Sequence, residues 1–65
     1  MPFREKRKAV KLSQVQAAEV LGVNNTTISM WEAGKSFPRA SLLPKIAALY
    51  NCTIDELLKE EEATA

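Results

Sequence analysis

Apolar residues recur every three to four positions along most of this chain, and no stretch alternates long enough to make a strand. A first helix is predicted over roughly Phe3 to Val10, with Phe3, Arg7 and Val10 on one face. Ser13-x-x-Gln16 then forms a capping box, in which hydroxyl and amide satisfy backbone N–H groups reciprocally. In the helix it opens, Val15, Ala18 and Leu21 form the predicted apolar stripe, with Ala17 beside it. Gly22 ends that helix in the left-handed conformation that costs glycine no Cβ clash. Only Val23 separates it from Asn24, the expected cap of a third helix over about Asn25 to Ala33 that Gly34 closes.

Two short helices joined by so tight a glycine turn must form a corner, not a parallel hairpin. A loop follows from Lys35 to Ala40, where Pro38 turns Phe37 away from helix. Ser41 is the expected cap of a fourth helix, Leu42 to Tyr50, with Pro44 in its first turn and Leu43, Ile46, Ala47 and Tyr50 inward. Asn51 suits a left-handed stop, and Thr53-x-x-Glu56 opens a fifth helix with Ile54, Leu57 and Leu58 expected inside. A charged tail over 60–65 is expected to fray. The reading is all-α, five short helices in one domain over 1–65.

At 65 residues the chain is near the lower size limit for unaided folding. One cysteine excludes an internal disulfide, and one cysteine with no histidine leaves no zinc set, so no metal or cofactor is expected. A well-packed helical core helped by self-association is what remains. No apolar run approaches the length of a membrane helix, and no signal-peptide pattern opens the chain, so a cytoplasmic protein is expected.

The net charge of +1 hides a polarity. Residues 1–11 carry Arg4, Lys6, Arg7, Lys8 and Lys11 against the single Glu5, a local charge of +4. Residues 55–65 set Asp55 and four glutamates against Lys59, a local charge of −4. That separation suits one face turned to an anion and another turned away, although solvated helix faces would look the same.

If Ile28 and Trp31 anchor the third helix inward, then Asn25, Thr26, Ser29 and Met30 point outward. These side chains are short or apolar and uncharged. In a major groove Asn can pair with adenine, and Thr or Met can touch a thymine methyl. An ordinary helix surface is the plain alternative, but such surfaces lean on Glu and Lys, and Asn-Asn-Thr-Thr is a poor helix former. Gln14, at the start of the second helix, and Lys35, Ser36 and Arg39, after the third, could grip the phosphate backbone; each could equally be a solvated residue.

The chain resembles the phage repressor and Cro-like helix-turn-helix domains, also called the xenobiotic-response-element type. The carriers are Leu12-Ser13-Gln14, Ala18, Leu21-Gly22-Val23, Thr27-Ile28-Ser29, Trp31-Glu32, Gly34-Lys35, Pro38 and Ile54-Asp55-Glu56-Leu57-Leu58, in register over about 3–58. The resemblance implies a compact five-helix, lambda-repressor-like DNA-binding domain with its helix-turn-helix at about 13–34. It implies a third helix docked in the major groove and a role as transcriptional regulator, here read as a repressor. By position, Asn25, Thr26, Ser29 and Met30 look like base-reading residues. Gln14, Asn24, Thr27, Lys35 and Arg39 look like backbone-contacting ones, and Arg7 and Glu32 match a family pair joining the first helix to the end of the third. Lys11 and Asn51 replace frequent glycines, so the first helix is expected to end differently or extend, and Lys6 replaces a frequent apolar residue.

Cys52 reads as core packing before a redox role, and Trp31 as core before a base-stacking residue. Tyr50, Ile54, Leu57 and Leu58 either finish the core or offer a dimer contact. Without histidine, a nucleophile–base pair or a phosphate-cradling glycine loop, an enzyme is not expected. The expected partners are double-stranded DNA, through a palindromic operator, and a second copy of the chain. The rival is an antitoxin-like module that uses the same domain on a protein.

Overall fold

Capping chemistry and glycine stops divide the chain into five α-helices, and the computed structural model describes them over residues 1–59. They are α1 (Phe3–Ala9), α2 (Gln14–Leu21), α3 (Asn25–Glu32), α4 (Leu43–Leu49) and α5 (Ile54–Leu58), with a 3-10 turn at Ala40–Leu42. No strand occurs among the described residues, and none of their helices is long and apolar enough to cross a membrane. The tail expected to fray lies outside the described residues.

Both predicted capping boxes are complete. Ser13 Oγ accepts from Gln16 N–H at 3.0 Å while Gln16 Oε1 accepts from Ser13 N–H at 2.9 Å. Thr53 and Glu56 repeat the pattern at 3.0 and 2.9 Å. Gly22 takes φ +74°, and its N–H and that of Val23 both donate to Ala18 O, which closes α2 and sets the corner. Asn51 fills a left-handed position at φ +57°.

Four local expectations are corrected. Lys11 does not extend α1; the helix stops at Ala9 and Lys11 itself adopts φ +62°, where the Cβ of an L residue costs about 1 kcal/mol. Ser41 caps nothing, because the 3-10 turn absorbs it and α4 begins at Leu43 without a side-chain cap. Val15 is half exposed, since the buried arc of α2 centres on Ala17, Ala18 and Leu21 and leaves Val15 on its flank. Leu58 is also exposed, because α5 docks through Leu57 and keeps Ile54 only partly covered.

The core gathers one face from each helix. Phe3 packs against Trp31 with ring centroids 6.1 Å apart at a tilted 41°, within the separation at which aromatic rings interact. Ala17 and Ala18 are small and buried, which lets α3 approach α2 closely enough to seat Ile28. Ile46, Ala47 and Tyr50 from α4 and Leu57 from α5 close the other side, with Cys52 packed at the edge. Burial pushes the Cys52 thiol above its ordinary value and the Tyr50 hydroxyl up to about 12. A raised thiol forms thiolate less readily than a free one.

Candidate nucleic-acid interface

The corner between α2 and α3 buries Ile28 and Trp31, and at 3.6 residues per turn this sends the opposite side of α3 to solvent. Asn25, Thr26, Ser29 and Met30 are all exposed there. The surface they form is uncharged and mixes amide, hydroxyl and thioether groups. It can exchange hydrogen bonds and make apolar contact along one strip, which is what a row of base edges requires.

Asn24 opens α3 without capping it. Its side-chain Oδ1 accepts from Thr27 Oγ1 at 3.2 Å, and the Thr27 N–H is taken by the Asn24 backbone carbonyl at 3.0 Å. Asn24 is exposed and Thr27 half-buried, so the two polar groups lie tied together at the head of the helix. Beyond its other end, Lys35 and Arg39 are exposed and Ser36 is half-buried on the loop that Gly34 starts at φ +77°. Phe37 on the same loop is exposed and borders an open cavity of about 330 Å³ with Met1, Arg4 and Trp31.

The C-terminal end of α3 is fixed by a polar cluster on Glu32. Arg7 Nε donates to Glu32 Oε2 at 2.6 Å and Arg7 Nη2 to Oε1 at 3.1 Å, a bidentate pair. Arg7 Nη1 also donates to Leu12 O at 2.8 Å, so one guanidinium ties α1, the turn before α2 and the end of α3. Gln14 Nε2 donates to Glu32 Oε1 at 3.1 Å, and Arg4 Nε approaches the same oxygen at 3.4 Å. The Glu32 side chain is fully covered, whereas Arg4 remains 56% exposed. Burial opposes the Glu32 charge, but the bonds from Arg7, Gln14 and Arg4 outweigh it and hold the carboxyl below its ordinary value. The bond to Glu32 is likewise the main reason that the Arg7 guanidinium is raised, against a smaller cost of burial.

Arg7 and Glu32 are thus brought together, and Gln14, expected at the DNA backbone, joins them. Arg4 was missed. Its signal was present, because Arg4 stands one helical turn before Arg7 and so shares its face. The four-residue apolar set at the C-terminal end is split by the fold. Tyr50 and Leu57 are buried within the single chain and offer no surface to a partner, since α4 and α5 close the core through them. Ile54 and Leu58 are the members that reach the surface. Among the described residues no cluster of histidine, cysteine or carboxylate side chains is suited to a metal ion.

A family model described as helix-turn-helix matches residues 3–57. The chain is 46% identical over 66 residues to the HTH-type transcriptional activator BcrR of Enterococcus faecalis, covering 95% of this chain and 32% of that protein. It is 34% identical over 57 residues to Repressor protein C2 of Salmonella phage P22, covering 88% of this chain and 26% of that protein. It is 37% identical over 51 residues to the cryptic phage CTXphi transcriptional repressor RstR of Vibrio cholerae, covering 78% of this chain and 46% of that protein. The chain therefore spans a quarter to a little under half the length of these relatives. No solved structure matches it.

Proposed function

We propose that this chain, which belongs to the helix-turn-helix family of the phage-repressor and Cro type, binds double-stranded DNA and regulates transcription by laying α3 in the major groove. The observation that carries the reading is the open strip of Asn25, Thr26, Ser29 and Met30 on a helix whose other side is locked into the core. Its matching relatives are transcriptional regulators, not enzymes. The strip supplies base contacts. Gln14, Asn24 and Thr27 on one side and Lys35, Ser36 and Arg39 on the other supply phosphate contacts that fix register but carry no sequence information.

The relatives include an activator and repressors. Repression is the direction assigned here, because occupying an operator blocks transcription with DNA binding alone. A palindromic operator and a dimer go with this reading, since two copies on half-sites about one helical turn apart double the surface read. Ile54 and Leu58 are the apolar groups at the C-terminal end that a second copy could cover. A cytoplasmic location also goes with it.

The test is selection of bound duplexes from a random pool, with the native mass of the selected complex. A single palindromic consensus and two chains per duplex are expected. Asn25→Ala and Met30→Ala should each relax the preference at one base, worth about 1–3 kcal/mol of discrimination, while nonspecific binding stays. If both variants keep the wild-type consensus, the base-reading assignment fails. One chain per duplex at saturation would remove the dimer. Affinity that does not fall with salt would favour the protein-binding alternative.

A further inference from the structure

Arg4 holds a position that stability does not account for. Its one contact with Glu32 is 3.4 Å long, and its side chain is more than half exposed. Ion pairs of that kind contribute little. The Arg7 pair already satisfies Glu32 at 2.6 and 3.1 Å, so Arg4 is surplus to the carboxylate. What Arg4 changes is the charge. Arg7 and Glu32 alone are neutral, and Arg4 leaves the cluster with one net positive charge.

We propose that Arg4 is a DNA-backbone contact, delivered by Glu32 to the same phosphate that Gln14 meets. This rests on the DNA-binding reading above. The two side chains share one acceptor, Glu32 Oε1, at 3.4 and 3.1 Å, so Arg4 Nε and Gln14 Nε2 stand no more than about 6.5 Å apart. The donor that Arg4 has free is an Nη, about 2.3 Å from Nε. Two donors on different oxygens of one phosphate can stand about 8 Å apart at ordinary charge-assisted distances, so an Nη turned toward Gln14 fits one phosphate. Each donor also has capacity to spare. The amide nitrogen of Gln14 has a second hydrogen, and both Nη atoms of Arg4 are without a partner among the described residues. Glu32 thus acts on DNA only as a positioning residue. It holds an amide and a guanidinium side by side, and the guanidinium offsets the repulsion that its own carboxylate would exert on a phosphate. Phosphate donors held in place before binding lose less side-chain freedom when they bind.

The experiment measures affinity of the full chain for a mixed-sequence duplex between 50 and 200 mM salt, for wild type, Arg4→Ala, Arg4→Lys, Gln14→Ala and the Arg4→Ala/Gln14→Ala double variant. Losing one phosphate contact should shrink the advantage of wild type over Arg4→Ala by about three- to fourfold across that range. Arg4→Lys should keep the wild-type slope. If the phosphate is shared, Arg4→Ala should cost less in the Gln14→Ala background than alone. Arg4→Gln, which keeps most of the packing, repeats the readout if Arg4→Ala melts early. An Arg4→Ala slope equal to that of wild type overturns the proposal, as does strict additivity with Gln14→Ala. Wild-type protein that binds no duplex overturns the DNA reading itself, an outcome distinct from failure of Arg4 alone.

Discussion

Helices α2 and α3 have the same length, eight residues, and meet at one corner, yet they are held in different ways. The first is secured locally, by a complete capping box at its head and a left-handed glycine at its end. The second has no side-chain cap, and it is built from Asn, Thr, Ile and Ser positions of modest helix propensity. It persists because Ile28 and Trp31 are buried and because Glu32 is held by Arg7 and Gln14. The helix with the open strip therefore has its polar face nearly free of structural duty. Residues on that face can vary while the fold stays the same.

Trp31 carries the largest part of what holds α3. Trp31→Ala removes a large buried ring that also packs on Phe3, and it should cost about 3–5 kcal/mol by denaturant unfolding. In a domain this small that is most of the stability available. A loss no larger than that of a single cap substitution would mean that α3 is held by something other than its inner face.

Glu32 comes next. Glu32→Ala leaves the Arg7 guanidinium buried without its partner and should cost about 3 kcal/mol. Its pH dependence has a definite sign. The folded-state pKa of Glu32 lies below the ordinary 4.5, so its stabilisation is complete above 4.5 and is lost as pH falls through the folded value. Measured against Glu32→Gln, the advantage of wild type should be full at neutral pH and shrink below pH 4.5. A difference constant down to the acid limit would show that the charge of Glu32 contributes nothing.

These contrasts also explain which features could be read from the chain. Both capping boxes were legible because Ser13 with Gln16, and Thr53 with Glu56, interact within one turn. Ala18, Leu21, Ile28 and Trp31 were legible as inward positions because helical period places them on facing arcs, whereas Val15, read in the same stripe, falls on its flank. The bond from Gln14 to Glu32 and the place of Arg4 beside it could not be read, because both depend on how near α1 and α2 come to the end of α3. Helical period says nothing about that distance. Tyr50, Leu57 and Leu58 shared a pattern, but only the packing of α4 and α5 on the core shows that the first two are buried and the third exposed. Ser41 looked like a cap by residue type, and a 3-10 turn that no local signal announced took its place.

The finest contrast lies between the caps themselves. Ser13→Ala and Thr53→Ala each remove a hydroxyl that accepts a backbone N–H at the head of a helix, and each should cost about 1 kcal/mol. Asn24 is a favoured cap by residue type, yet its side chain accepts only from the Thr27 hydroxyl. The Thr27 N–H, one of the two backbone donors a cap can satisfy, is already bonded to the Asn24 carbonyl, and that carbonyl survives substitution. Asn24→Ala should therefore cost less than about 0.5 kcal/mol, the range of an ordinary surface change. If all three substitutions are equal in denaturant unfolding, α3 is capped in solution and the contrast with α2 disappears. If Asn24→Ala leaves stability intact but weakens duplex binding, this residue serves the phosphate backbone and not its helix.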